Sequence, residues 1–272
     1  MKATRRGPIA SAAIRLGTAA LVAAAPAMSR AQEMLKGVDL SQPAYSASEF
    51  SREEIVTALK SRKDNAAPLD FSGKSLNGAD LSGLDLSNVN FRAARMVRTR
   101  LSGARLDHAI LDQAWLLEAD LTGASLIGAH FFAAQLQRAK ADGADFSRAR
   151  ITADLTGASL RGAKFIEANL SADMKNQSMG LMRAVLSSAV AEGANFTAAD
   201  LMNADLRFLH AAGADFSGAG LQGANAAGAD FTGARWDGVK ADALDLDSAQ
   251  VDAAAAQDAL KDAANLDRAR IK

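Results

Sequence analysis

Along most of this chain a large apolar residue returns every fifth position. From Phe71 it recurs at Leu76, Leu81, Leu86, Phe91, Met96 and Leu101, continues to Leu136, and after Ala141 reappears at Phe146 and Ile151. The register then slips by one residue to Leu155, Leu160, Phe165 and Leu170. It returns at Leu181 and runs on to Val251, with Ala191, Ala211, Ala226 and Ala241 in central places. Eight of the 11 phenylalanines stand at the centre, and 16 of the 21 glycines stand two places after it. Alanine is the usual residue two places before. Three residue types obeying one frame make a tandem repeat.

A helix needs apolar spacing near 3.6 and a strand needs 2, so neither accounts for a period of five. A short extended segment followed by a turn does. Glycine two places past the centre suits the third residue of a type II turn, which needs positive φ. If each turn bends the chain by about a right angle, four pentads close a square coil and residue i stacks on i+20. The alanine and the central Leu or Phe then point inward, and a larger residue in place of alanine would not fit so narrow an interior.

The pattern Ala-(Asp/Asn)-(Leu/Phe)-x-x is clearest at Ala79-Asp80-Leu81, Ala119-Asp120-Leu121, Ala144-Asp145-Phe146, Ala194-Asn195-Phe196, Ala204-Asp205-Leu206 and Ala229-Asp230-Phe231. It resembles the pentapeptide-repeat family from Leu69 to about Asp252. The resemblance implies an all-β fold, a right-handed quadrilateral β-helix of about nine coils.

An open solenoid needs caps at both ends. Residues 49–68 are expected to form the N-terminal one, a helix over 52–63 with Ser51 and Glu54 as a capping box and Phe50 and Ile55 as a hydrophobic staple. Residues 69–252 form the repeat body, interrupted near 171–180. Residues 253–272 form the C-terminal cap, with Asp252 starting an alanine-rich helix over 253–264 and Leu266 and Ile271 packing back. The missing residue between Ile151 and Leu155 should distort one corner, and the interruption reads as a looped-out excursion.

Residues 1–31 read as a cleavable signal peptide: Lys2, Arg5 and Arg6, then the apolar run Leu16 to Ala27, then cleavage after Ala31. Residues 32–48 form a linker. The expected location is therefore periplasmic or extracellular, by either the general or the twin-arginine route. Removing Lys2, Arg5, Arg6, Arg15 and Arg30 leaves a net charge of −5. Such a balance gives no general attraction for nucleic acid, and no transmembrane segment is expected in the mature chain. Cysteine is absent, which excludes disulfides and thiolate chemistry.

The chain shows no catalytic motif. His108, His130 and His210 lie in no metal-binding spacing, and the many aspartates mostly occupy the place before the centre, where capping a turn suffices. No metal, cofactor or enzymatic activity is expected. Arg92, Arg95, Arg98, Arg100 and Arg105 form an acid-free run, and Asp237, Asp242, Asp245, Asp247 and Asp252 an acidic one. These are either solvated faces or complementary ends. Ile110, Trp115, Leu117 and Phe132 put apolar residues at outward positions, with Ile110 and Phe132 on one face and Trp115 and Leu117 on the next. They are the candidate contact patch for a protein partner or for a homodimer. The expected function is an exported, non-enzymatic, rigid protein-binding or structural scaffold. The alternative implied by the resemblance is a DNA mimic that inhibits or protects DNA gyrase.

Overall fold

The computed structural model describes residue 42 and residues 46–61, 68–172 and 182–272. The expected leader, most of the linker, the tail of the predicted 52–63 helix, much of the 171–180 interruption and the central Leu181 that follows it lie outside the described residues. Asp39–Lys272 form one compact unit.

The repeat body is a parallel β-helix with four faces. Each pentad donates one short bridge, and bridges recur between residues one coil apart: Asp70 with Asn90, Ser75 with Arg95, Asp80 with Arg100, Asp85 with Arg105. These four pairs head four ladders, called here the first to fourth faces. On each face the central residue donates its N–H to the next coil, as Leu76 does to Arg95 at 2.7 Å, and Arg95 returns a bond to Lys74 at 2.8 Å. The turn that follows is closed by the N–H three residues on, as from Ala79 to Leu76 at 3.1 Å. Its third residue has positive φ in the regular pentads, whether it is glycine (Gly78, 65°) or not (Arg98, 56°), but not at Ala153 or Ala172, where the frame breaks.

Such coils are filled by their own side chains. Central residues and the preceding alanines are almost all buried in one continuous core. On the fourth face Phe146, Phe165, Phe196, Phe216 and Trp236 stack with ring centroids 4.8 to 5.0 Å apart and planes within 12° of parallel. That separation is the layer spacing of a β-structure. The backbone therefore imposes face-to-face stacking on rings that left alone prefer offset or edge contacts.

At the N-terminal end, α1 (Arg52–Lys60) begins with a capping box: the Ser51 hydroxyl accepts from the Glu54 N–H, and the Glu54 carboxylate accepts from the Ser51 N–H. Ile55 is buried, and Phe50 meets Phe71 edge-on at 5.3 Å. Arg52 reaches across to the carbonyls of Asp80 and Ser82, at 2.8 and 2.9 Å, and so fastens the helix to the first coil.

The C-terminal end departs from expectation. The helix predicted over 253–264 is only α2 (Ala253–Gln257), and Asp252 makes no side-chain cap to it. Its carboxylate instead accepts from the Gly233 N–H at 2.8 Å. The helix must stop because the chain returns to the ladders. Ala264 bridges Asp245 on the second face, and β2 (Arg270–Ile271) pairs in parallel with β1 (Gln250–Val251). Leu260 takes the buried place and Leu266 is partly buried, while Ile271, expected to pack inward, stays 48% exposed.

Replacing Phe196, in the middle of the ring stack, by alanine should cost about 3–5 kcal/mol, and by leucine clearly less. Denaturant unfolding followed by circular dichroism reads the difference. Equal, small losses for both would show that the stack contributes little.

Candidate functional site

The two breaks in the frame fall at one corner. The coils before them repeat at 20 residues. The missing residue shortens the step to 19, as between Asp142 and Arg161, and it falls where the chain turns from the first face at Ile151 to the second at Asp154. One coil later the chain again leaves the first face, at Ala172, and rejoins the second at Val185. The step across that excursion is 31 residues, as between Arg161 and Glu192. All four ladders close around both irregularities.

Beside this corner the first face is concave. The outward column there runs Asp112, Phe132, Thr152, Ser171, Met202, following the ladder Ile110, His130, Arg150, Asn169, Asp200. Phe132 and Met202 are each 39% exposed, among the few large apolar side chains this open to solvent. Between them stand the small residues Thr152 and Ser171. The resulting saddle has a volume of about 550 Å³ and is bordered on one side by His130, Arg150 and Asn169. Bulky apolar posts, a short polar floor and a basic flank suit a protruding chain segment better than they suit chemistry. Among the described residues, no cluster of His, Asp and Glu has the geometry to hold a metal ion.

Of the residues singled out in the sequence, Phe132 is an exposed post of the saddle. Ile110 shares its face, two coils from Arg150 in the same ladder, and is half-buried. Trp115 is half-buried on the second face. Leu117, expected to face solvent, is 2% exposed. It belongs to an outward column on the second face that is buried all the way from Asn77 through Val97, Leu117 and Gln137 to Thr156. At the head of this column residues 46–49 cross the face: Ser48 pairs with Leu76 and the Ser75 hydroxyl donates to the Ala47 carbonyl. Leu117 is thus part of the packing rather than of an exposed patch. Sequence reading missed Met202, Arg150 and His130, because the excursion hides that Met202 stacks below Ser171. His108, His130 and His210 are all exposed.

The arginine run is not a basic belt. Each member meets a carboxylate from a neighbouring coil or from the N-terminal segment: Arg92 with Asp112 (3.2 Å), Arg95 with Glu49 (3.6 Å), Arg98 with Glu118 (2.8 Å), Arg100 with Asp80 (3.0 Å) and Arg105 with Asp85 (3.9 Å). In the acidic run Asp237 meets Arg235 and Asp247 meets Arg268. The basic run is thus neutralised largely by carboxylates one coil away, so it does not present a basic end.

A family profile described as pentapeptide repeats matches in eight copies, over residues 75–113, 99–134, 153–172, 181–218 and 199–235. Among solved structures, HetL, a pentapeptide repeat protein involved in heterocyst differentiation regulation from the cyanobacterium Nostoc sp. strain PCC 7120, is 28% identical. That match covers 72% of this chain and 97% of HetL, with a TM-score of 0.34. QnrB1, a plasmid-mediated fluoroquinolone resistance protein, is 14% identical over 75% of this chain and 90% of its own, with a TM-score of 0.31. A pentapeptide repeat protein from the Arabidopsis thaliana thylakoid lumen is 24% identical over 51% and 75%, with a TM-score of 0.20. No curated protein matches.

The aspartates before the centres act on the backbone. Asp80 accepts from the Ser82 hydroxyl and pairs with Arg100, which with the Ser82 N–H holds its carboxyl far below the usual range. Asp70 is lowered by the Ser72 N–H. Asp215 and Asp230 are lowered although burial opposes it, because Ser217 and Thr232 each donate a hydroxyl and an N–H. Carboxylates depressed in the fold stabilise it fully above the ordinary pKa near 4, and that stability is lost as pH falls through the folded values. The thermal midpoint should therefore stay level from about pH 8 to 5 and fall steeply below about pH 4. A midpoint unchanged at about pH 2.5 would show that these bonds do not bear on stability.

Proposed function

This chain belongs to the pentapeptide-repeat family, and we propose that it works outside the cytoplasm as a non-enzymatic scaffold that holds a protein partner on the saddle of its first face. The observation that carries this reading is the coincidence of both frame breaks at the corner beside the exposed Phe132 and Met202. A filled interior gives a substrate no cavity, so contact falls to the outer faces. A rigid stack positions such a contact without an ordering cost at binding. The export element rests on the basic, apolar and small-residue pattern of residues 1–31. A gyrase-directed DNA mimic would need a continuous acidic surface, and the paired arginines interrupt one.

Two experiments test this. A photo-crosslinking residue at Phe132, in the native envelope, should give a discrete adduct, and the same residue at Thr122 on the third face should give none. Equal labelling at both sites would overturn the assignment of the surface. Protein recovered from the envelope should begin at Gln32. A chain that keeps Met1 and stays in the cytoplasm would overturn export.

A further inference from the structure

The flank of the saddle carries a charge that the fold leaves uncompensated. Most other arginines of the body find a carboxylate one layer away or in their own turn, as Arg98 and Arg138 both do at Glu118 (2.8 and 2.7 Å), Arg148 being an exception outside the saddle. Arg150 has no carboxylate partner among the described residues. Its ladder neighbours are His130 and Asn169, and the Asn169 Oδ1 already accepts from the N–H and hydroxyl of Ser171. The acids nearest in the two columns are engaged: Asp112 pairs with Arg92 and accepts from the Phe132 N–H, and Asp200 accepts from the Met202 N–H. Arg150 is exposed and stands level with Thr152, between the two apolar posts.

Resting on the scaffold reading, we propose that the saddle takes an extended segment of the partner with apolar side chains at positions i and i+4 and an aspartate or glutamate at i+2. Phe132 and Met202 stand three layers apart, about 14 Å at the β-layer spacing. In an extended chain, side chains four residues apart lie about 13 Å apart on one side, with that of i+2 between them. Laid along the axis of the coils, such a segment places its apolar residues on Phe132 and Met202 and its carboxylate against the Arg150 guanidinium, the geometry in which arginine bonds carboxylates well.

The test uses the full mature chain and a fluorescein-labelled peptide, Ser-Leu-Ser-Asp-Ser-Phe-Ser, with its Asn counterpart, read by fluorescence anisotropy up to millimolar protein. The Asp peptide should bind roughly tenfold more tightly than the Asn peptide, and Arg150→Gln should remove that preference. Phe132→Ser should weaken both peptides, with an unchanged circular dichroism melt showing the fold intact. Equal binding of the two peptides, a preference that survives Arg150→Gln, or binding of neither overturns the proposal. Should neither bind while the adduct at Phe132 still forms, the scaffold reading stands and only the assignment of the acidic segment falls.

Discussion

Coils stacked at the β-layer spacing leave each inward side chain little choice of neighbour: it meets the residue one turn above and the residue one turn below. Everything else in this protein follows from that. Alanine usually stands two places before the centre because two large residues per face crowd the interior, and Leu209 takes that place where the centre itself is Ala211. Aromatic rings on the fourth face lie flat on one another, centroids 4.8 to 5.0 Å apart, because their backbones are already held at the layer spacing. Polar residues before the centres must cap their own turns, since the ladder bonds are taken by the coils above and below.

The same constraint organises the surface. Charges that crowd together in the sequence are spread over different faces, and those far apart in the sequence meet. Arg92, Arg95, Arg98, Arg100 and Arg105 look like a basic cluster when read linearly, yet Asp80, Glu118 and Asp112 neutralise three of them across one layer. Exposed pairs of this kind contribute little stability individually. Their larger effect is to remove long-range potential, which makes a residue outside the pairing, such as Arg150, stand out electrostatically.

The repeat frame, the inward residues, the turn glycines and the Ser51–Glu54 start of α1 were legible in the sequence, because each depends on residues close together or in simple periodicity. Other features depended on information that local patterns do not carry. Leu117 looked outward by position, yet its column is buried from Asn77 to Thr156. The alanine run after Asp252 has strong helix propensity, but ladder pairing of Ala264 and β2 outweighs it. Met202 could not be placed beside Thr152 and Ser171 without knowing how many residues the excursion consumes. Its place follows once Asp154 is seen to bridge Val185.

Confining both irregularities to one corner has a consequence for how such a molecule can change. A residue gained or lost within a face would shift every later side chain from inside to outside. At this seam one is lost and a whole excursion gained, and the faces beyond resume their phase from Val185 with Asp205 onward. The corner is thus a splice point, where the chain can lengthen or shorten, and new recognition sequence can be tried, while the rest of the stack is left as it was.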